Sequence, residues 1–175
     1  MIRSVAIWPQ IVLLSFVLST GCQQEPSLPT TKPVTHPMGS RVQIGPMSYI
    51  VYETNWATEL SGRDGTKRPA NQFLILRVSM KNASTKKRAL PYFTLVGPDG
   101  KEYSEVTEGV DHTPEWLGVL RELGPSETAT GTAVFDVPQA AYKLVLSDGG
   151  PIEEEKTAMV QLPLELVKAP EAPLP

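Results

Sequence analysis

Between residues 41 and 166 apolar side chains recur at every second position, not at helical spacing, which predicts strands. The clearest case is residues 126–137, where Ala129, Gly131, Ala133, Phe135 and Val137 share one face and Thr128, Thr130 and Thr132 the other. The same alternation sets Leu74, Leu76, Val78 and Met80 against Arg77, Ser79 and Lys81, and Tyr142, Leu144 and Leu146 against Lys143 and Ser147. These are half-buried strands. Further strands are expected at residues 47–54 and 156–166, with shorter ones at 41–44, 89–96 and 101–105. Pro91 and Pro163 demote parts of theirs to sheet edges, because proline offers no N–H to a ladder. Gly97-Pro98-Asp99-Gly100 predicts a hairpin, since proline presets φ and glycine accepts φ > 0. The one helical signal, Thr113-Pro114-Glu115 ahead of Trp116, Val119 and Leu120, suffices for one or two turns. Some seven to nine short strands without a long amphipathic helix predict an all-β fold, an antiparallel β-sandwich.

The opening of the chain follows another pattern. After Arg3 no charge occurs through Thr20, and residues 11–18 are apolar except for Ser15, the outline of an export signal. The run falls short of the ~20 residues a spanning helix needs, and Pro9 interrupts it. It closes on Leu18-Ser19-Thr20-Gly21-Cys22, with a polar, proline-rich stretch behind. This segment resembles the lipobox of bacterial lipoproteins. The resemblance implies cleavage between Gly21 and Cys22 and acylation of Cys22 by a diacylglyceryl group, palmitate-type chains included. The lipid would be the protein's membrane partner, since several acyl chains anchor stably where one binds marginally. Gln23 beside Cys22 resembles lipoproteins sent to the outer membrane of a two-membrane cell; otherwise the outer face of the cell membrane is expected.

Residues 23–40 carry Pro26, Pro29, Pro33 and Pro37 among Ser, Thr and Gln, with too few apolar side chains for a core. A disordered tether is expected there, spanning ~25 Å as a flexible coil and ~55 Å as polyproline II. The chain thus divides into a signal peptide (1–21), a tether (22–40), a sandwich (41–167) and a proline-rich tail (168–175).

Three stretches of the body carry a further resemblance: residues 73–82 (FLILRVSMKN), 95–103 (LVGPDGKEY) and 130–138 (TGTAVFDVP). They are similar to the bacterial domain of unknown function 4352, over residues 40–166. The resemblance implies an exported protein or lipoprotein carrying a telokin-like, immunoglobulin-like sandwich, and it brings no catalytic residues. Leu123-Gly124-Pro125-Ser126, where the family tends to show Pro-Gly, and the long loop at residues 55–70 depart from its pattern.

Composition narrows the chemistry. The 175 residues hold one cysteine, so no disulfide forms within the chain, and 16 basic against 19 acidic side chains exclude the field non-specific nucleic-acid binding requires. Loss of residues 1–21 removes Arg3 and deepens the acidity. The basic clusters, Lys86-Lys87-Arg88 and Arg63 with Lys67-Arg68, fall at opposite ends of the sandwich if one strand separates them. No cofactor or metal is implied. His36-Pro37-Met38 with Met47 offers soft ligands, but a strand and a tether do not assemble them, and Glu153-Glu154-Glu155 lacks calcium-loop spacing. His112 beside Asp111, with Ser104 or Ser126, is the most that a hydrolase could draw on, without a nucleophile elbow. Asn82-Ala83-Ser84 matches a glycosylation sequon that a bacterial lipoprotein leaves bare.

What remains is recognition. The connection at residues 105–123 is long, and Asp111, His112, Glu115 and Trp116 make it a candidate partner-contact loop, the alternative being that Trp116 caps the open end of the core. The expected function is a lipid-anchored envelope protein, not an enzyme, whose sandwich is a binding or structural module. The alternatives are an exported carrier or sensor of a small ligand or metal, and a hydrolase on the same scaffold.

Overall fold

The computed structural model describes residues 33–62, 65–108, 110, 113–119, 121–151 and 153–164. The export signal, Cys22 and the tail lie outside the described residues. In chain order the strands are β1 (Thr35–Pro37), β2 (Arg41–Ile44), β3 (Met47–Ala57), β4 (Leu60–Gly62), β5 (Gly65–Lys67), β6 (Gln72–Asn82) and β7 (Arg88–Ala89). They continue as β8 (Thr94–Val96), β9 (Glu102–Ser104), β10 (Glu122–Leu123), β11 (Thr128–Val137), β12 (Tyr142–Ser147) and β13 (Thr157–Leu162). Among the described residues no helix is long and apolar enough to cross a membrane.

Alternation places nine of these strands in two layers. The first sheet has the order β11-β6-β3-β2, antiparallel throughout. The second runs β1-β13-β12-β8-β9, antiparallel except where β1 lies parallel to β13. Their inner faces meet in one core that includes Val42, Met47, Tyr49, Leu76, Phe135, Leu144 and Val160. The fold is the all-β sandwich that the period of two predicts. The 97–100 turn closes β8 onto β9, with Gly97 N donating to Lys101 O at 2.8 Å and Gly100 at φ 81.

Five local features differ from expectation. The strand expected at 89–96 is split, because Pro91 cannot join a ladder; β7 pairs with β10 and β8 with β9 and β12. Residues 35–37, expected in the tether, pair with β13, an edge contact that asks only for main-chain groups: Met159 N donates to Val34 O at 2.9 Å. The loop at 55–70 holds the hairpin β4–β5. The helical signal at Thr113 gives no helix but a β-turn, Trp116 N donating to Thr113 O at 3.1 Å with Glu115 at φ 56 in the third position. Pro163 ends β13 at Leu162, between two neighbours, so it marks a strand terminus and not an edge.

Two buried polar clusters hold the connections between strands. Arg121 and Glu105 form a bidentate ion pair, Nη1 to Oε1 at 2.8 Å and Nη2 to Oε2, with side chains only 2% and 0% exposed. Glu105 Oε1 also accepts from Phe93 N, and Arg121 Nε donates to Gly118 O at 3.2 Å while its guanidinium lies over the Phe93 and Tyr92 rings. The second cluster is Asn82, fully buried. Its Nδ2 donates to Lys86 O, Leu123 O and Gly124 O at 2.7 to 3.1 Å, and its Oδ1 accepts from Ser84 N and Oγ. That amide is wholly engaged, so the sequon at Asn82 presents no reactive nitrogen.

Removing one member of the ion pair strands the other charge. Arg121→Met or Glu105→Leu alone should cost about 3–5 kcal/mol in urea unfolding, and the double replacement should recover most of it. A double variant as unstable as either single one would contradict this balance.

Tyr49 OH donates to Ser147 O, and burial followed by Asp148 and Glu155 pushes its pKa well above 10. Tyr142 OH donates to Pro138 O at 2.6 Å, and burial, then Tyr103 and Asp99, push it up to about 12. Raised values mean that the stability these phenols supply is complete below their ordinary value of 10.0 and is lost as pH climbs toward the folded value. The urea midpoint should hold to about pH 9.5 and fall by pH 11, less steeply in Tyr142→Phe. Equal slopes in the two proteins would remove Tyr142 from the explanation.

Candidate functional site

The outer face of the first sheet is divided. Register sets Phe73, Ile75, Arg77, Ser79 and Lys81 of β6 beside Asp136, Val134, Thr132, Thr130 and Thr128 of β11. One end of this face is apolar and the other polar. Over the apolar end lies the connection from β9 to β11: Val106, Val110 and Trp116 join Phe73, Ile75, Val134 and Ala57 in a second, smaller core.

The connection also satisfies the free edge of β11. Val106 N donates to Val134 O at 2.7 Å, Thr132 N to Glu115 O at 2.7 Å, and Leu117 N to Thr132 O at 3.0 Å. Trp116 bridges Thr132 as a short parallel partner. Successive side chains then fall on opposite sides, Trp116 in the outer cluster and Leu117 against the main core. Gly131 permits this approach, since a Cβ there would lie 2.5 Å from Glu115 O and 2.7 Å from Leu117 Cδ2. Asp136 caps the start of β6, accepting from Ala70 N at 2.6 Å and Asn71 N at 2.8 Å.

Where the connection meets the open half of the sheet there is a cleft of about 200 Å³, lined by Glu53, Asn55, Ile75, Arg77, Thr113, Pro114 and Thr132. Arg77 sits between Glu53 and Thr132 in the cross-strand row, and its Nη2 lies 2.7 Å from Glu115 Oε2. Thr132 Oγ1 donates to Pro114 O at 2.8 Å. Thr113 Oγ1 and Trp116 Nε1 are buried with no hydrogen-bond partner among the described residues. The cleft combines the Glu53 carboxylate, the Asn55 amide and the Arg77 guanidinium, itself paired with Glu115.

Of the residues predicted for this site, Glu115 and Trp116 are brought to the first sheet, Trp116 on its outer face and not at the open end of the sandwich. Asp111, His112, Gly21 and Cys22 lie outside the described residues. Of the hydrolase candidates, Ser104 lies on β9 and Ser126 in the turn before β11, while His112, the base either would need, is outside the described residues; of the soft metal ligands, His36 lies on β1 in the second sheet. Met47 is fully buried in the core, away from solvent. Among the described residues no group of three or more His, Cys, Asp or Glu side chains could hold a metal ion.

Glu53, Asn55, Arg77, Thr113 and Thr132 were not foreseen. A period of two counted from Met47 through Tyr49 and Val51 puts Glu53 inside. A β-bulge between Val51 and Glu53 inserts Tyr52 and turns Glu53 outward, opposite Arg77.

A family model described as a domain of unknown function, DUF4352, matches residues 36–157. The chain belongs to this family. No curated protein matches it in sequence. The DUF4352 sandwich is similar to the yjhA protein of Bacillus subtilis, with TM-score 0.58 and 17% identity over 72% of this chain and 98% of that one. It is similar also to MPT63, a secreted protein of Mycobacterium tuberculosis, with TM-score 0.54 and 17% identity over 75% and 99%. A third likeness is to ycdA, a candidate lipoprotein of Bacillus subtilis, with TM-score 0.51 and 16% identity over 70% of this chain and 38% of that one. At these identities the likeness is one of fold.

Within the stretch similar to DUF4352, Gly131 is the residue that docking of the connection depends on. Gly131→Ala should cost about 1–3 kcal/mol by overpacking and shift tryptophan emission to the red as Trp116 lifts from the sheet. An unshifted spectrum at wild-type stability would show that the contact adjusts freely.

Proposed function

We propose that this DUF4352 protein is exported, cut before Cys22 and held on a membrane by lipid on that residue, and that its sandwich is a non-catalytic binding module. The observation that carries binding is the cleft beside Glu115, where Glu53, Asn55, Arg77 and Thr132 bring polar side chains together beside Ile75 and Pro114. A concave site with a few convergent polar groups on a partly apolar wall is the usual form of a small-molecule site. A small-ligand carrier would use the same cleft, whose size suits part of a small molecule and not a protein chain.

Export is supported by the uncharged apolar run, and the anchor by the position of the one cysteine at its end. A secreted protein and a candidate lipoprotein among the similar structures agree with an exported setting. On this reading the proline-rich stretch after Cys22 spaces the module from the bilayer.

Mass spectrometry of the mature protein should find Cys22 as first residue, carrying acyl mass, and Cys22→Ala should abolish both the mass and membrane retention. In the same cells a photo-cross-linking residue at Asn55 should capture a ligand that one at Gln161 does not. A mature chain without lipid overturns the anchor, and equal capture at both positions overturns the site.

A further inference from the structure

The polar half of the same face holds a second depression, of about 290 Å³, whose lining includes Arg41, Ser48, Tyr52, Ser79, Lys81 and Thr128. Register explains the cluster. One cross-strand row reads Gln43, Ser48, Lys81, Thr128, and the next reads Arg41, Ile50, Ser79, Thr130. Arg41 and Lys81 are thus two strands and one row apart, about 12 Å between Cα atoms from ordinary sheet spacing. Two long side chains at that distance can close on a single anion, with hydroxyls on the floor between them.

The hydrogen-bond inventory is one-sided. Arg41 Nη1 donates to Ser48 Oγ at 3.2 Å, which leaves the Ser48 proton to be donated elsewhere. Thr130 Oγ1 donates to Ser79 Oγ at 3.0 Å, with the same effect on Ser79. Arg and Lys are donors only, and no carboxylate lines the depression. Arg68, Arg77, Lys87 and Arg121 each have a carboxylate partner. Among the described residues Arg41 and Lys81 have none, on a chain where acids outnumber bases 19 to 16. Two cations and three hydroxyls make a donor-only cradle suited to phosphate oxygens, of which a phosphate monoester presents three and a phosphodiester two. Tyr52, 53% exposed at the bulge, adds an aromatic surface beside them for the group that carries the phosphate.

We propose that this depression binds the phosphate group of a phosphorylated small molecule or of a phospholipid headgroup, in a site separate from the cleft and independent of lipid on Cys22. The two sources share strongly accepting, negatively charged phosphate oxygens. To test this, the purified full chain is titrated with glycerol 3-phosphate in phosphate-free, low-salt buffer while backbone amide resonances are followed. In a parallel arm it is sedimented with phosphatidylcholine vesicles containing or lacking phosphatidylglycerol. Saturable shifts at Ser48, Ser79, Lys81 and Thr128 identify a soluble ligand, and cosedimentation that depends on phosphatidylglycerol identifies the headgroup; either supports the site. Arg41→Gln with Lys81→Gln should weaken that binding at least about tenfold with an unchanged thermal melt. No saturable shift and no phosphatidylglycerol dependence, or binding that the double variant retains, overturns the proposal. Loss of the anchor or of cross-linking at Asn55 would leave this result unaffected.

Discussion

The ion pair between Glu105 and Arg121 sits at the two ends of the chain's longest excursion, and that placement governs what the excursion does. A carboxylate and a guanidinium taken out of water cost several kcal/mol each unless nearly every donor and acceptor is matched. Here they are matched twice by each other, again by Phe93 N and Gly118 O, and by the faces of two aromatic rings. The bond is therefore poor as a source of net stability and strong as a source of geometry. With both ends held, the connection brings Val106, Val110 and Trp116 onto the outside of the first sheet.

That crossing resolves two liabilities of the sandwich at once. β11 is an edge strand, and its outward main-chain groups would otherwise offer a template for another chain. Phe73, Ile75 and Val134 would otherwise expose apolar area on the same side. One extended segment meets both needs, and Gly131 lets it come close enough. The cover stops at Pro114, so the remainder of the face stays polar and open. The cleft is the margin between a covered and an uncovered half of one sheet.

The sequence's alternation made most of the two sheets legible. β2, β3, β6, β11, β12 and β13 announce themselves by period, and the 97–100 hairpin by its Pro-Asp-Gly. What escaped has a common character. β1, β7 and β10 are two or three residues long, too short for a period to register. The bulge at Tyr52 costs one residue of phase, which is enough to send Glu53 to the wrong face. Arg41 and Lys81 are 40 positions apart and become neighbours only through β3, so no local cluster of charge betrays them. Glu105 and Arg121 look like two more surface charges until the loop closes. Of the candidate site, Glu115 and Trp116 were readable because an aromatic in a long loop is conspicuous; their partners Arg77, Thr113 and Thr132 depend on register.

The parallel pairing of β1 with β13 has a directional consequence. Because first and last strands point the same way, the chain enters the second sheet at one pole and leaves it at the other. The entry pole gathers the turn after Ser147 with its acidic residues and the segment before Thr94; the exit pole gathers the 97–100 hairpin and the turn before Tyr142. The two poles of the second sheet therefore carry different chemistry, acidic loops at one and the Pro-Asp-Gly hairpin at the other. Three residues of edge strand give that sheet a direction along which its two sets of loops differ.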